Sequence, residues 1–505
     1  VKIKRIICLI LILFIAVFPV IAGSCGDNGK KTDKIENIQN EENNENNADS
    51  ETPPEEEVDA KEQYNPNFEP VDMQGYEFKV GTRNDDGAYH GGAAAHTRDI
   101  IAEKENGDLI NDVVYKRNVA VEEKYNCVIT MDSYSENDEA ATNKIVEKCV
   151  KAGDKSYDLH MTHMMMGTDT AVKGSYYDLA KFPNIDITKP YWNKGATDGF
   201  SIGHKLYLGL SDFSFSTNEN LYCIFFNKVL IQNYNVENPY TLVKNNQWTF
   251  DKFADIIKVG TIDLDGNGKM DENDQYGYIS TASVNFLWSG GGHMMAKDAD
   301  DMPYLDFINQ RVIDIYDKAF AIVNSENSYS KEAHWHTGNT IQMFANSQGV
   351  FYGNQLCRVN ELRATEFDFG IVPYPKYDEV QDRYYSYVDG HASMMAIPIN
   401  LPNPEWTGMI IEEFSFLSYR DILPTYYDVV LNVKMIRDEE SIEMLKILFD
   451  SKVFDTAYVM GGGFWTMWLD NINQKKTDFV STYEKQEKSV LAAIQKKVDA
   501  LFALE

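Results

Sequence analysis

The chain is poor in positive charge. Its 505 residues carry 47 Lys and Arg against 78 Asp and Glu, a formal net charge of −31. Nucleic-acid binding needs clustered Lys and Arg, so this balance argues against such a partner. Catalytic signatures are missing too: there is no nucleophile elbow, no H-E-x-x-H and no recognisable triad. Carboxylates abound, but nothing marks two of them as a glycosidase acid/base pair. Gly290-Gly291-Gly292 lacks the strand and helix context of a dinucleotide site, and no P-loop lysine follows it. Cysteine is scarce. Beyond Cys8 and Cys25 only Cys127, Cys149, Cys223 and Cys357 remain, far apart and without C-x-x-C spacing. No zinc ribbon or redox motif is visible, and both disulfides and buried free thiols stay open.

Long apolar runs are rare, and the prominent one lies at the start. Lys2, Lys4 and Arg5 precede Ile6 to Ala22, and Ala22, Gly23 and Ser24 lead into Cys25. This is the pattern of a secretory signal over residues 1–24 with a cysteine at the cleavage point. With about 17 residues and Pro19 inside it, the run is marginal as a permanent span. The tripeptide before Cys25 resembles the lipobox of bacterial lipoproteins, with Ala22 where that box usually has Leu. The resemblance implies that Cys25 is acylated and holds the chain on the outer face of the bacterial cytoplasmic membrane; two acyl chains suffice for stable anchoring. Residues 25–70 are built from Asn, Glu, Asp, Lys and Pro, with hydrophobes too sparse to offset chain entropy. They read as a disordered acidic tether, and without the signal's cations the net charge becomes −34.

What is plentiful is aromatic: 30 Tyr and 7 Trp within a 12% aromatic content. Such side chains suit stacking on sugar rings, although aromatic cores are their commoner use. From residue 71 onward the chain is long enough for two domains. Strand-like Tyr76–Val80, a helical pattern over 108–125, a strand around 127–131, a helix over 137–152 and a strand over 157–161 alternate as in a parallel α/β sheet. Ligands of such sheets sit at the strand ends.

Four blocks carry a family resemblance. They are Leu221-Tyr222-Cys223-Ile224-Phe225-Phe226-Asn227-Lys228, Gln247-Trp248-Thr249-Phe250-Asp251-Lys252-Phe253, Phe367-Asp368-Phe369-Gly370-Ile371-Val372-Pro373-Tyr374-Pro375, and Ala396-Ile397-Pro398 followed by Asn403-Pro404-Glu405-Trp406. In this order, behind a lipoprotein-like signal, the chain resembles a family 1 extracellular solute-binding protein, the receptor of carbohydrate-type ABC importers. The resemblance implies a two-lobed α/β fold of the type II periplasmic-binding-protein kind. Its first lobe would span 71–218 plus 389–430, and its second 219–388 plus 431–505. It further implies a monomeric receptor, not an enzyme, that binds an oligosaccharide or sugar derivative between the lobes and delivers it to permease subunits. A secreted carbohydrate-active hydrolase and a non-transport surface sugar sensor are the alternatives.

Strand-end position and the resemblance together suggest ligand contacts at Arg83, His163, Met164, Asn220, Trp288, Tyr352, Asn354, Asp389 and Trp465. Trp288 borders the glycine triplet, and Trp465 follows Gly461-Gly462-Gly463, for which core packing is an equal reading. Residues 263–274 match the calcium-loop pattern, with oxygen ligands at alternate positions and Gly268 in sixth place. Some oligosaccharide-binding relatives resemble it and end their ligand set at an adjacent acidic pair. That resemblance implies a structural calcium on Asp263, Asp265, Asn267, the Lys269 carbonyl, Asp271 and Glu272, with Asp274 as substitute. His160-Met161-Thr162-His163 would suit copper only off a strand, where neighbours face opposite ways. His334-Trp335-His336 has no third ligand nearby in sequence.

Overall fold

The computed structural model describes residues 60–83, 96–134, 139–331, 339–429, 439–461 and 463–504, all within a unit running from Thr52 to Glu505. Cys25, the signal, most of the tether, His334, Trp335, His336 and Gly462 lie outside the described residues.

The described chain opens with alternating strands and helices. Strand β1 is Tyr76–Arg83, helix α1 is Leu109–Tyr125, β2 is Cys127–Tyr134, α2 is Glu139–Ala152 and β3 is Leu159–His163. Helix α1 starts where the Asp108 carboxylate accepts from the Ile110 and Asn111 N–H groups, and it stops at Asn126, whose φ of 46° is left-handed. Strand β3 begins two residues later than the alternation suggests. The carboxylate of Asp158 accepts from Lys79 N at 2.9 Å and Thr407 Oγ1 at 3.1 Å, so this residue anchors the strand's entrance.

Further along come β4 (Tyr222–Asn227), β5 (Tyr276–Ser280), β6 (Ser328–Ser330), β7 (Gly349–Gln355), β8 (Phe369–Val372) and β9 (Ser393–Ala396). Every residue of β4 and of β7 is buried, the pattern of strands covered on both faces. Strand β4 ends where Asn227 turns outward and caps the helix Lys228–Asn233, its Oδ1 accepting from Val229 N and Leu230 N. Asn403 likewise caps α3 (Pro404–Leu417), its Oδ1 accepting from Trp406 N, and proline stands in the first turn.

The strands form two main sheets, ordered β9-β3-β1-β2 and β8-β4-β7-β5-β6. In the first, β1 is parallel to β2 and β3, and β9 is antiparallel to β3. In the second, β5 is parallel to β6 and β7, while β4 is antiparallel to β7 and β8. Each sheet is therefore mixed, and its one reversed strand is the one the chain enters on crossing from the other sheet. The two crossings lie side by side: Leu221 pairs antiparallel with Val388, and Asp389 N donates to Asn220 O at 2.9 Å. This arrangement sets the carboxyl ends of the parallel strands of both sheets around the crossings.

Most of the aromatic content serves the core, where Trp248, Trp288 and Trp468 are among the largest fully buried side chains. The four cysteines after Cys25 are free thiols. No described helix is long and apolar enough to cross a membrane.

Candidate functional site

A cavity lies where the crossings meet the strand ends. Met165 enters it just beyond β3, Tyr222 from the start of β4, Ala282, Val284 and Asn285 from the turn after β5, and Gln355 from the end of β7. The second crossing adds Tyr387, Asp389, Gly390 and His391, and helical segments bring Tyr458 and Trp465. The space open to the centre of a water-sized sphere is about 50 Å³, room for a few waters.

Asp389 organises the polar side. Its Oδ1 accepts from His391 N at 3.0 Å and from His391 Nδ1, and its Oδ2 accepts from Tyr222 OH at 3.1 Å. His391 is in turn held from behind, because Arg83 Nη2 donates to its carbonyl at 2.5 Å and its ring meets that of His163 edge-on at 4.8 Å. On the apolar side Tyr387 lies between Tyr222, at 5.9 Å between centroids, and Tyr458, at 4.8 Å. Burial pushes all three phenols well above their ordinary pKa, so they remain neutral donors at physiological pH. A Cβ on Gly390 would stand 2.3 Å from Met165 Sδ, so a larger residue there would displace the Met165 side chain from the wall.

Of the residues suggested by sequence, Asp389 and Trp465 line the cavity. Arg83 and His163 form the layer behind His391, and Asn220 contributes its backbone carbonyl to Asp389. Met164 is buried with its N–H on Ala392 O, and its neighbour Met165 is the one at the wall. Trp288 also sits one layer deeper. It is 1% exposed, stacks on Tyr387 at 3.9 Å and 14°, and donates Nε1 to Asp455 Oδ2 at 2.9 Å. The adjacent glycines admit another helix rather than a ligand, since a Cβ on Gly290 would meet Ile315 Cδ1 at 2.8 Å. Tyr352 packs against both Phe225 and Phe344 in the core, and Asn354 Nδ2 donates to its hydroxyl at 2.5 Å. These two share a face of β7, so the cavity receives Gln355, which points the other way. Around the second glycine triplet both readings meet: Phe464 and Trp468 are core, and half-buried Trp465 reaches the cavity.

Tyr222, Asn285, Gln355, Tyr387, His391 and Tyr458 are absent from the sequence-derived set. Proximity to Asn220, Asn354 and Asp389 was the available signal for three of them, and nothing local marks Asn285, Tyr387 or Tyr458.

The acidic loop is folded tightly by its own side chains. Asp263 accepts from Gly266 N at 2.7 Å and Gly268 N at 2.8 Å, bonds that hold its carboxyl below the usual range, that to Gly268 foremost. Both glycines are left-handed, with φ of 70° and 78°. Carboxylate oxygens of Asp263, Asp265 and Asp274 lie within 4.8 Å of one another. Asp274 is buried, anchored by Leu264 N at 2.9 Å and Asp271 N at 2.7 Å. The Asp271 carboxylate instead turns to Asn273, accepting from its N and Nδ2 at 2.9 Å. Three converging carboxylates beside Asn267 match the hard oxygen donors that calcium takes.

No protein-family model and no curated protein matches the chain. Solved structures do. An ABC substrate-binding protein from Listeria monocytogenes in complex with cycloalternan aligns with TM-score 0.50 at 12% identity, over 85% of this chain and 98% of its own. A cyclo/maltodextrin-binding protein complexed with maltotetraose aligns with TM-score 0.53 at 12% identity, over 86% and 98%. UgpB from Mycobacterium tuberculosis, in complex with glycerophosphocholine, aligns with TM-score 0.53 at 11% identity, over 84% and 100%. The chain has the two-lobed, mixed α/β fold of these ABC substrate-binding proteins.

Proposed function

We propose that this protein is an extracellular substrate-binding lipoprotein of an ABC importer. It takes an oligosaccharide or sugar derivative into the cavity beside the crossings and passes it unchanged to permease subunits, tethered through Cys25. The observation that carries this reading is the cavity itself: aromatic faces with a few convergent polar groups, placed where two crossing segments join two sheets. The structural neighbours were solved with cycloalternan, maltotetraose and glycerophosphocholine, all rich in hydroxyl or ester oxygens.

A cavity of about 50 Å³ is far below the roughly 300–1,000 Å³ of small-molecule sites, so ligand entry requires the lobes to part about the crossings. Ligand then favours the closed form only by binding it better than the open one. The hydrolase alternative is weaker on geometry. Glycoside hydrolysis generally uses two carboxylates flanking one bond, and Asp389 is the single carboxylate among the described lining residues. A thermal-shift screen of the lipid-free mature chain against oligosaccharides tests the reading. At least one should raise Tm and be recovered intact, whereas release of shorter sugars in proportion to protein would favour the hydrolase.

We also propose that the loop of Asp263, Asp265, Asn267 and Asp274 holds one structural calcium, with Asp274 closing the ligand set in place of Asp271 and Glu272. Binding to the folded form alone stabilises it by about 2.7 kcal/mol at a hundredfold excess over Kd. Chelator should therefore lower Tm by several degrees, and Asp265→Asn should abolish that response. An unchanged Tm in chelator contradicts the proposal.

A further inference from the structure

The cavity wall is one-sided in its chemistry. Among the described lining residues there is no Lys or Arg, and Asp389 is the carboxylate; His391 is the remaining titratable group besides the tyrosines. Four aromatic side chains, Tyr222, Tyr387, Tyr458 and Trp465, share the same small space. Their faces carry negative quadrupole density, which attracts cations most strongly where water is excluded.

Asn285 supplies the second polar signal. Its side chain is 2% exposed and lines the cavity. The amide nitrogen is committed, donating to Ala282 O at 2.8 Å, which fixes the amide orientation and makes the other atom the carbonyl oxygen. That Oδ1 is buried and has no hydrogen-bond partner. A buried acceptor left without a donor is costly, and the natural remedy is a donor brought by the ligand. A neutral hydroxyl would satisfy Asn285 alone. A protonated amine satisfies it and also gains from the Asp389 charge and the ring faces, in a protein whose whole field is acidic at −31.

We propose that the cavity selects solutes bearing a protonated amino group, an amino sugar being the class that also presents apolar ring faces to the tyrosines. This rests on the reading of the cavity as the ligand site of a binding protein.

The test is calorimetric titration of the full mature chain with three matched probes: a glucosamine tetramer, its fully N-acetylated counterpart and maltotetraose. The amine-bearing tetramer should bind about tenfold or more tightly than either neutral probe, the size expected of a cation against aromatic faces and a carboxylate. Asp389→Asn should erase that preference. A wild-type preference that persists at high salt, where attraction to the surface is screened, reports the same enclosed charge and serves should the Asp389 variant fail to fold. A neutral probe binding as well as the amine overturns this inference and leaves the receptor reading standing. A preference that survives Asp389→Asn, or that vanishes at high salt, also overturns it, by placing the attraction on the acidic surface instead. Absence of heat with all three overturns it together with the oligosaccharide part of the receptor reading.

Discussion

Replacing Trp288 with Ala is expected to cost the fold about 3–5 kcal/mol, the usual range for emptying a buried aromatic site. The indole is 1% exposed, lies flat on Tyr387 at 3.9 Å and is fixed by its bond to Asp455. Truncation would open a void under the cavity's central ring and free Tyr387 to tilt, so weakened ligand binding should accompany the lost stability. Asp455 would keep its bonds from Met294 N at 2.7 Å and Ala457 N at 2.9 Å, so no buried carboxylate is stranded and the cost is mainly packing. Trp288→Phe should retain most of the stack and lose far less. Urea unfolding of both variants checks this. A Trp288→Ala protein of unchanged stability and reduced affinity would put the ring at the wall instead.

Arg117→Ala should destabilise by a similar amount, about 3–5 kcal/mol, through charge rather than volume. The guanidinium is 3% exposed, and its Nη2 donates to the carbonyls of Asp99 at 2.8 Å and Ile100 at 3.1 Å while Nη1 donates to Ser418 Oγ at 3.1 Å. It lies against the rings of Phe213 and Phe414, which stack on each other, 4.9 and 4.7 Å from their centroids. Burial drags its pKa down to about 9, opposed by the neighbouring Asp99 charge. Removing it would leave the buried Asp99 carbonyl without that donor, while Ile100 O keeps Asn118 Nδ2 at 2.9 Å; the Asp99 carboxyl beside it is wholly buried and pushed up to about 7 by desolvation. Asp99 also accepts from Ser216 N at 3.1 Å, in the segment leading to the first crossing at Asn220, so the loss should loosen the hinge as well. Arg117→Lys cannot reproduce the planar fork of donors and should rescue little. Equal denaturation midpoints for wild type and Arg117→Ala would contradict this account.

The parts of the molecule legible in the sequence are those decided locally. Asn227 ends β4 and caps the next helix because its short carbonyl reaches two N–H groups just ahead of it, and Asn403 before Pro404 works alike. The acidic loop was visible for the same reason. The anchoring of Asp274 was not, because it is pinned by backbone N–H groups of Leu264 and Asp271 that only the folded loop brings to it. The cavity was legible at Asp389 beside Gly390 in the second crossing and at Trp465 beside the second glycine triplet. Trp288 next to three glycines reads identically whether it faces a ligand or a partner 167 residues away, and Asp455 decides the matter. Tyr387 and Tyr458 carry no local mark at all. Their role follows from the second crossing and a distant helix meeting at one end of both sheets.

Two lobes that close on a solute and release it unchanged should reveal themselves in small-angle scattering of the mature chain with and without the oligosaccharide that gives the largest thermal shift, followed by chemical analysis of that solute. The radius of gyration should fall at saturation, since the tether contributes equally to both measurements, and the solute should be recovered intact. A saturating solute that leaves the radius unchanged, or that is consumed in proportion to protein, would contradict this.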